Sequence, residues 1–256
     1  MTIRELYNYL DHIAPFNNQD KSDNAGLLVG DYDSEVKKIL VCLDVTNDVV
    51  NEAVEKGIDL IISHHPLMYR PVRRIVSDDP LHALIRSNIN FIAVHTNLDV
   101  AAGGITDLML HKLGFPESDT VIRPINSDDT GYGRIIDLDA PISAQELAEK
   151  CKTAFNCTII RYIDSGKPLL RIGATSGSAG DSVEAALGAG CDAFVCGEVS
   201  HSGIVFAANH GMTLIEAGHF HTEDIFCEDI IKRLRSQFEG INIEKSENSV
   251  DFCKFL

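Results

Sequence analysis

Short apolar runs punctuate the chain at regular intervals. Ile39–Val45, Leu60-Ile61-Ile62, Asn90–His95, Leu169–Ala174, Asp192–Cys196 and Met212–Glu216 each have the length of one buried strand. Amphipathic or capped stretches alternate with them. Thr2 and Glu5 form a capping-box pattern ahead of a helix that Pro15 ends. Thr46 or Asn47 opens a helix that closes at Gly57, and Asp79-Pro80 opens another with proline at its first position. Ser143 and Glu146 cap a further helix, and more helices end near Gly114, Gly190 and Gly211. The final helix begins near Thr222, and short strand-like pieces near Ile241 and Phe252 close the chain. Strands alternating with helices predict an α/β protein.

The polar, turn-rich stretch Pro116–Thr130 divides this pattern, so two halves are expected, residues 1–125 and 126–256. An internal echo links them. Val50–Ser63 reads VNEAVEKGIDLIIS and Val183–Cys196 reads VEAALGAGCDAFVC, with helix, glycine, aspartate and apolar strand in register. A second echo pairs the strand before His95–Asp99 with the strand before His219. Two echoes in the same order suggest a duplication.

Chemistry gathers just beyond the carboxyl ends of the predicted strands, where open α/β sheets bind ligands. His64-His65-Pro66 follows one strand. His95 and Asp99 follow the next, Glu198 and His201 another, and His219–Glu223 the last. In an extended segment adjacent side chains diverge, so a bend at the strand end is needed to bring His64 and His65 together. Imidazoles from His64, His65 and His219 with carboxylates from Asp99 and Glu223 suit Zn, Mn or Fe and disfavour calcium. Such a set exceeds one tetrahedral site and fits a two-metal centre. His219 and Glu223 are four residues apart at a helix start, so both can face one side. Plain alternatives exist for each: Glu223 as a first-turn glutamate, Asp99 as a turn residue, and the His pair as a strand-to-loop junction. Asp23-Asn24, His95, Glu198 and His201 form a second tier that would orient ligands or move protons, with Glu198 and His201 as the candidate catalytic pair. The Thr175–Gly180 loop offers a weak phosphate-binding signal without a Walker lysine. Arg70, Arg73 and Arg74 offer guanidiniums for phosphate on what reads more plainly as a solvated loop. His12, His82, His111 and His210 read as surface or packing residues.

The totals narrow the field. With 38 acidic and 22 basic residues in 256, the formal net charge is −16, which disfavours general nucleic-acid binding. Nothing is long enough to span a membrane, and the start lacks a signal-peptide pattern, so a cytoplasmic protein is expected. The seven cysteines include no Cys-x-x-Cys and read as reduced core residues.

The series DNAGLLVG, LDVT, ISHHP, HTNLD followed by GG, GYGR, GEVSH and AGHFHTE resembles the Nif-three-like family, whose members are often named GTP cyclohydrolase type-two homologues. The resemblance runs from Asn24 to Glu223. It implies two related α/β halves facing each other across a dinuclear metal cleft, two divalent ions per chain (Zn, Mn or Fe), and ligands at His64, His65, Asp99, His219 and Glu223. It also implies a ring-like homohexamer. Members often carry Trp before the Asp-Asn pair; here that position is Ser22, and the chain has no Trp. The resulting expectation is a metal-dependent hydrolase that activates water toward a small-molecule substrate. Its substrate would be a nucleotide such as GTP, with phosphoester cleavage and a non-catalytic metal-binding adaptor as alternatives.

Overall fold

A computed structural model describes residues 1–125 and 130–256. The first elements are α1 (Ile3–Ile13), β1 (Gly26–Val29), β2 (Lys38–Cys42), α2 (Asn47–Lys56), β3 (Leu60–Ser63), α3 (Pro80–Arg86), β4 (Asn90–Ala93) and α4 (Thr96–Val100). Next come α5 (Ile105–Lys112), β5 (Val121–Pro124), β6 (Gly131–Ile142), α6 (Ala144–Ala154), β7 (Arg161–Ile163), β8 (Leu169–Ala174), α7 (Ser182–Gly188), β9 (Ala193–Cys196), α8 (His201–His210) and β10 (Thr213–Glu216). The chain closes with α9 (His219–Glu223), α10 (Ile225–Gln237) and β11 (Asn242–Lys245). This is a mixed α/β protein with two sheets, in two compact units. One comprises Met1–Leu98 and Phe226–Val250, the other Asp99–Ile225 and Asp251–Leu256.

In the first unit the strand order is β1-β4-β3-β2-β11. β2, β3 and β4 run parallel, β11 joins β2 in parallel, and β1 pairs antiparallel with β4. β3 is buried at every position, which is why its sequence is a continuous apolar run rather than an alternating one. Val49, Val50 and Ala53 of α2 pack over Leu40, Ile61 and Phe91 of the sheet. The return of β11 to this sheet is fixed by Glu52 of α2. Its carboxylate accepts from Ser246 Oγ (2.6 Å), Asn248 Nδ2 (2.9 Å) and Glu247 N (3.1 Å), and Lys56 Nζ lies 2.8 Å away.

The second unit carries the order β5-β6-β8-β9-β10-β7, with β8, β9 and β10 parallel. Val183 and Ala186 of α7 and Ala207 of α8 pack against Phe194 and Leu214. Arg134 of β6 is buried. It donates to both oxygens of Asp107 (2.9 and 3.1 Å) and to the carbonyls of Ala101, Gly131 and Gly133.

The sequence echo falls on equivalent elements, α2–β3 in one unit and α7–β9 in the other. Asp59 Oδ2 accepts from the amides of Lys37 and Lys38 at the start of β2. Asp192 Oδ2 accepts from the amides of Leu170 and Arg171 at the start of β8. Gly57 and Gly190 both take left-handed backbone, at φ 62° and 78°, to leave their helices. The matched glycine and aspartate therefore do the same work in each βαβ unit.

Local structure departs in places from the pattern along the chain. Thr96–Val100 is a helical turn, because Asp23 accepts from the amide and hydroxyl of Thr96 and so caps its start from 73 positions away. After α6 the chain re-forms a strand only at Arg161, past Asn156 with its left-handed φ of 52°. Phe252 lies outside any strand and is exposed. The polar, turn-rich stretch Pro116–Thr130 contains β5, and residues 126–129 lie outside the described residues. Six of the cysteines are buried free thiols, as the composition predicts, and Cys253 is exposed. Among the described residues no helix is long and apolar enough to cross a membrane.

Candidate metal centre

Candidate metal-donor side chains follow the carboxyl ends of β3 and β4 in one sheet and of β9 and β10 in the other. In the first unit, β3 ends at Ser63, whose hydroxyl donates to the His65 carbonyl at 2.5 Å and bends the chain. His64 and His65 therefore do not diverge as on a flat strand: their ring centroids are 5.0 Å apart. His95, just past β4, lies 5.1 Å from His64 and 5.4 Å from His65 by the same measure. One ring nitrogen from each of the three lies within 4.8 Å of the others.

The second ring nitrogens fix the chemistry. His64 Nδ1 donates to the Val94 carbonyl at 2.8 Å, and a carbonyl can only accept. His65 Nδ1 donates to Asp44 Oδ1 at 2.7 Å and His95 Nδ1 to Asp23 Oδ1 at 2.7 Å. Carbonyl and carboxylate oxygens only accept, so Nδ1 carries a proton in all three rings, and in the neutral ring the lone pair then sits on Nε2. That is the carboxylate–histidine or carbonyl–histidine arrangement that makes imidazole a better metal ligand. The Asp23 carboxylate is secured as the anion. Burial pushes its pKa up, but hydrogen bonds from His95 and Thr96 overcome this and hold it at about 2. His64 is fully buried and packs against Phe226 with ring centroids 5.4 Å apart and planes tilted by 45°.

In the second unit the donors are Asp99, His219 and Glu223. One carboxylate oxygen of Asp99 lies within 4.8 Å of one from Glu223. His219 and Glu223 bound the single-turn helix α9, so their i, i+4 spacing places Nε2 2.9 Å from Glu223 Oε2. His219 Nδ1 lies 3.1 Å from Glu198 Oε1. A neutral imidazole has a single N–H, so it donates to one carboxylate and faces the other with a lone pair. A divalent cation relieves that second contact, and nitrogen and oxygen donors 2.9 Å apart suit one.

The Thr175–Gly180 loop backs this set. Gly177 N donates to Thr222 Oγ1 (3.1 Å) and Gly177 O accepts from Glu198 N (2.9 Å). Ala179 N donates to the Glu198 carbonyl. The Gly177 and Ala179 amides are engaged within the protein, so these parts of the loop hold α9 and Glu198 in place. Gly177 is a functional position that sequence reading misses, since Gly/Ser loops occur everywhere.

The nominated residues thus divide as follows. His64, His65 and His95 are together in one unit, and Asp99, His219, Glu223 and Glu198 in the other. His201 opens α8, is exposed, and makes no hydrogen bond or ion pair among the described residues. Asn24 turns its amide to the Met68 carbonyl at 2.7 Å, bracing the segment after the His pair. His12, His111 and His210 are exposed and His82 half-buried.

The sequence matches the family described as Duf34/NIF3 (NGG1p interacting factor 3) over residues 1–251. A Clostridium acetobutylicum protein named GTP cyclohydrolase 1 type 2 homolog is 32% identical, over 100% of this chain and 99% of its own. The crystal structure of the Staphylococcus aureus hypothetical protein SA1388 superposes with a TM-score of 0.89 at 28% identity, covering 100% of this chain and 99% of that one. A Bacillus cereus protein related to NIF3 shares the fold, with a TM-score of 0.87 at 19% identity over 100% of this chain and 99% of that one.

Proposed function

This chain belongs to the Duf34/NIF3 family, and from that premise we propose that it is a divalent-metal-dependent hydrolase. The observation that carries the reading is the shared tautomer of His64, His65 and His95, each held with Nδ1 as donor. Structural histidines rarely need three such locks side by side, whereas metal ligands do. We propose His64, His65, Asp99, His219 and Glu223 as the ligands of two divalent ions, Zn, Mn or Fe, with His95 as a further imidazole donor. Bound ions would supply Lewis-acid polarisation of substrate and water.

The remaining roles fall to the chain's own groups. Asp44, Asp23 and Glu198 orient imidazoles through Nδ1. Glu198 is well exposed, so it can also pass protons between His219 and solvent. His201, exposed at the start of α8, is the second proposed proton-transfer group. The name borne by the Clostridium relative supports a nucleotide substrate, with water attacking the guanine imidazole ring and formate leaving. Family membership also motivates the proposal of a homohexamer, to be tested by light scattering.

The decisive experiment measures formate release from GTP by Zn-, Mn- and Fe-loaded protein, with metal content counted in the same samples and Glu223→Ala as control. Metal-dependent formate release that disappears with the bound metal in the variant supports the reading. Two bound ions without formate release move the substrate to phosphoesters, or the role to a metal-binding adaptor. A chain that binds no metal overturns it.

A further inference from the structure

We propose that Tyr69–Arg74, the segment leaving the His64–His65 pair, is an anion-capture loop for phosphorylated small molecules. The proposal names the substrate class for the metal-dependent hydrolase reading and rests on it. Three observations carry it.

The first is charge without a partner. The protein's formal charge is −16, so its average field repels anions. Most of its arginines are engaged: Arg4, Arg134, Arg161, Arg171 and Arg233 pair with carboxylates, Arg235 donates to the Ile243 carbonyl, and Arg123 lies over Tyr132. Arg70, Arg73 and Arg74 are exposed, and none makes a hydrogen bond or ion pair among the described residues. Arg86 also makes none, but it stands alone at the end of α3. No acidic residue occurs from His64 to Ser77, so three guanidiniums stay unneutralised in an acidic protein.

The second is position. The loop starts at the donor set itself. The Tyr69 ring lies 6.1 Å from the His95 ring, and Asn24 pins the Met68 carbonyl beside the Asp23–His95 pair. The loop that carries these guanidiniums thus leaves directly from the imidazole set.

The third is composition. Tyr69 is 48% exposed, and Val72, Ile75 and Val76 are exposed as well. These apolar side chains alternate with the arginines, a surface suited to a ligand with a flat ring and a phosphate group. Guanidinium is the side chain that binds phosphate through two parallel N–H donors. Pro66 and Pro71 restrict the loop's backbone and so lower the entropy lost on capture.

The test titrates the full-length chain, as purified and after chelation, with pyrophosphate, GTP and guanosine at low ionic strength. Wild-type protein should bind pyrophosphate and GTP and bind guanosine far more weakly. Arg70→Gln/Arg73→Gln/Arg74→Gln should bind both anions about tenfold more weakly, the summed effect of three exposed charge contacts. High salt should erase the difference. Replacement of all three by Lys should recover part of the affinity and not all of it. Metal content must match wild type in these variants, which separates failure of the loop from failure of the metal reading. Equal affinity in the triple Gln variant overturns the proposal, as does guanosine binding as tight as GTP. Preference for a single-stranded oligonucleotide over GTP overturns it in favour of a nucleic-acid surface.

Discussion

Gly177 and Glu223 compete for the same space. A Cβ on Gly177 would lie 1.9 Å from Glu223 Oε1, 2.7 Å from its carboxyl carbon and 3.2 Å from His219 Nε2. The residue also sits at φ +53°, where an L side chain costs about 1 kcal/mol. Gly180 separates these two effects: its φ is +49°, yet a Cβ there meets nothing within 4 Å. Gly180→Ala should lose roughly 1 kcal/mol of stability and keep its metal. Gly177→Ala should also push the Glu223 carboxylate aside and lower metal affinity by about tenfold or more. Metal stoichiometry with denaturation curves for both variants checks this. Wild-type metal content in Gly177→Ala would show that Glu223 is not a ligand.

Asp44 reaches the imidazole donor set through His65. Its Oδ1 receives the Nδ1 proton at 2.7 Å, while the residue itself is well exposed, so replacing it should cost little stability. Asp44→Ala should leave His65 free to exchange tautomers and weaken metal binding about 10- to 100-fold. Asp44→Asn, which keeps an oxygen acceptor, should recover part of this. Competition with a chelator measures the affinity, and nitrogen chemical shifts of the imidazole report the tautomer. An unchanged tautomer population in Asp44→Ala would remove the orienting role.

How much of this was legible in the sequence depends on the range of the interaction. Caps made by a residue on its own helix were readable: Thr2 with Glu5, Ser143 with Glu146, and Asp79 ahead of Pro80 all appear as expected. The echo was readable because Gly57 and Asp59 do the same local work as Gly190 and Asp192. The helical turn at Thr96 was not, because its cap is Asp23, 73 positions away. Nor was the return of β11 to β2, which depends on Glu52 reaching a turn 194 residues later. His64, His65, His219 and Glu223 stood out as adjacent or i, i+4 donors. His95 was second-tier, since its membership of the imidazole cluster depends on two strand ends, those of β3 and β4, lying side by side.

Arg134 shows what the GYGR motif does. The side chain is buried, and its donors serve Asp107 and the carbonyls of Ala101, Gly131 and Gly133. Removing the cation leaves three buried carbonyls without their donor and the partly exposed Asp107 without its counter-charge. Arg134→Met should destabilise the fold by about 3 kcal/mol or more, the range for breaking a buried pair from one side. Arg134→Lys should be nearly as damaging, because an ammonium cannot reproduce the planar fork. Urea unfolding of both variants measures the loss. A change within about 0.5 kcal/mol, the range of an ordinary surface substitution, would mean that the network contributes nothing.

Glu52 makes a pH prediction far from any metal donor. Burial alone would push its carboxyl pKa up, but hydrogen bonds from Lys56, Ser246, the Glu247 amide and Asn248 outweigh burial and lower it from 4.5 to about 2. A pKa lower in the folded than in the unfolded state means the native state binds the proton less readily. The stabilisation is therefore fully present above pH 4.5 and is lost as pH falls through the window from 4.5 to about 2. A shift of that size corresponds to something on the order of 3 kcal/mol at neutral pH. Glu52→Gln removes the titrating group and weakens the grip on residues 246–248. The stability gap between wild type and Glu52→Gln should be widest above pH 5 and shrink steadily toward pH 2, with β11 the first element to exchange its amides in the variant. A gap that stays constant with pH would mean that the carboxylate's charge plays no part in holding β11 on the sheet.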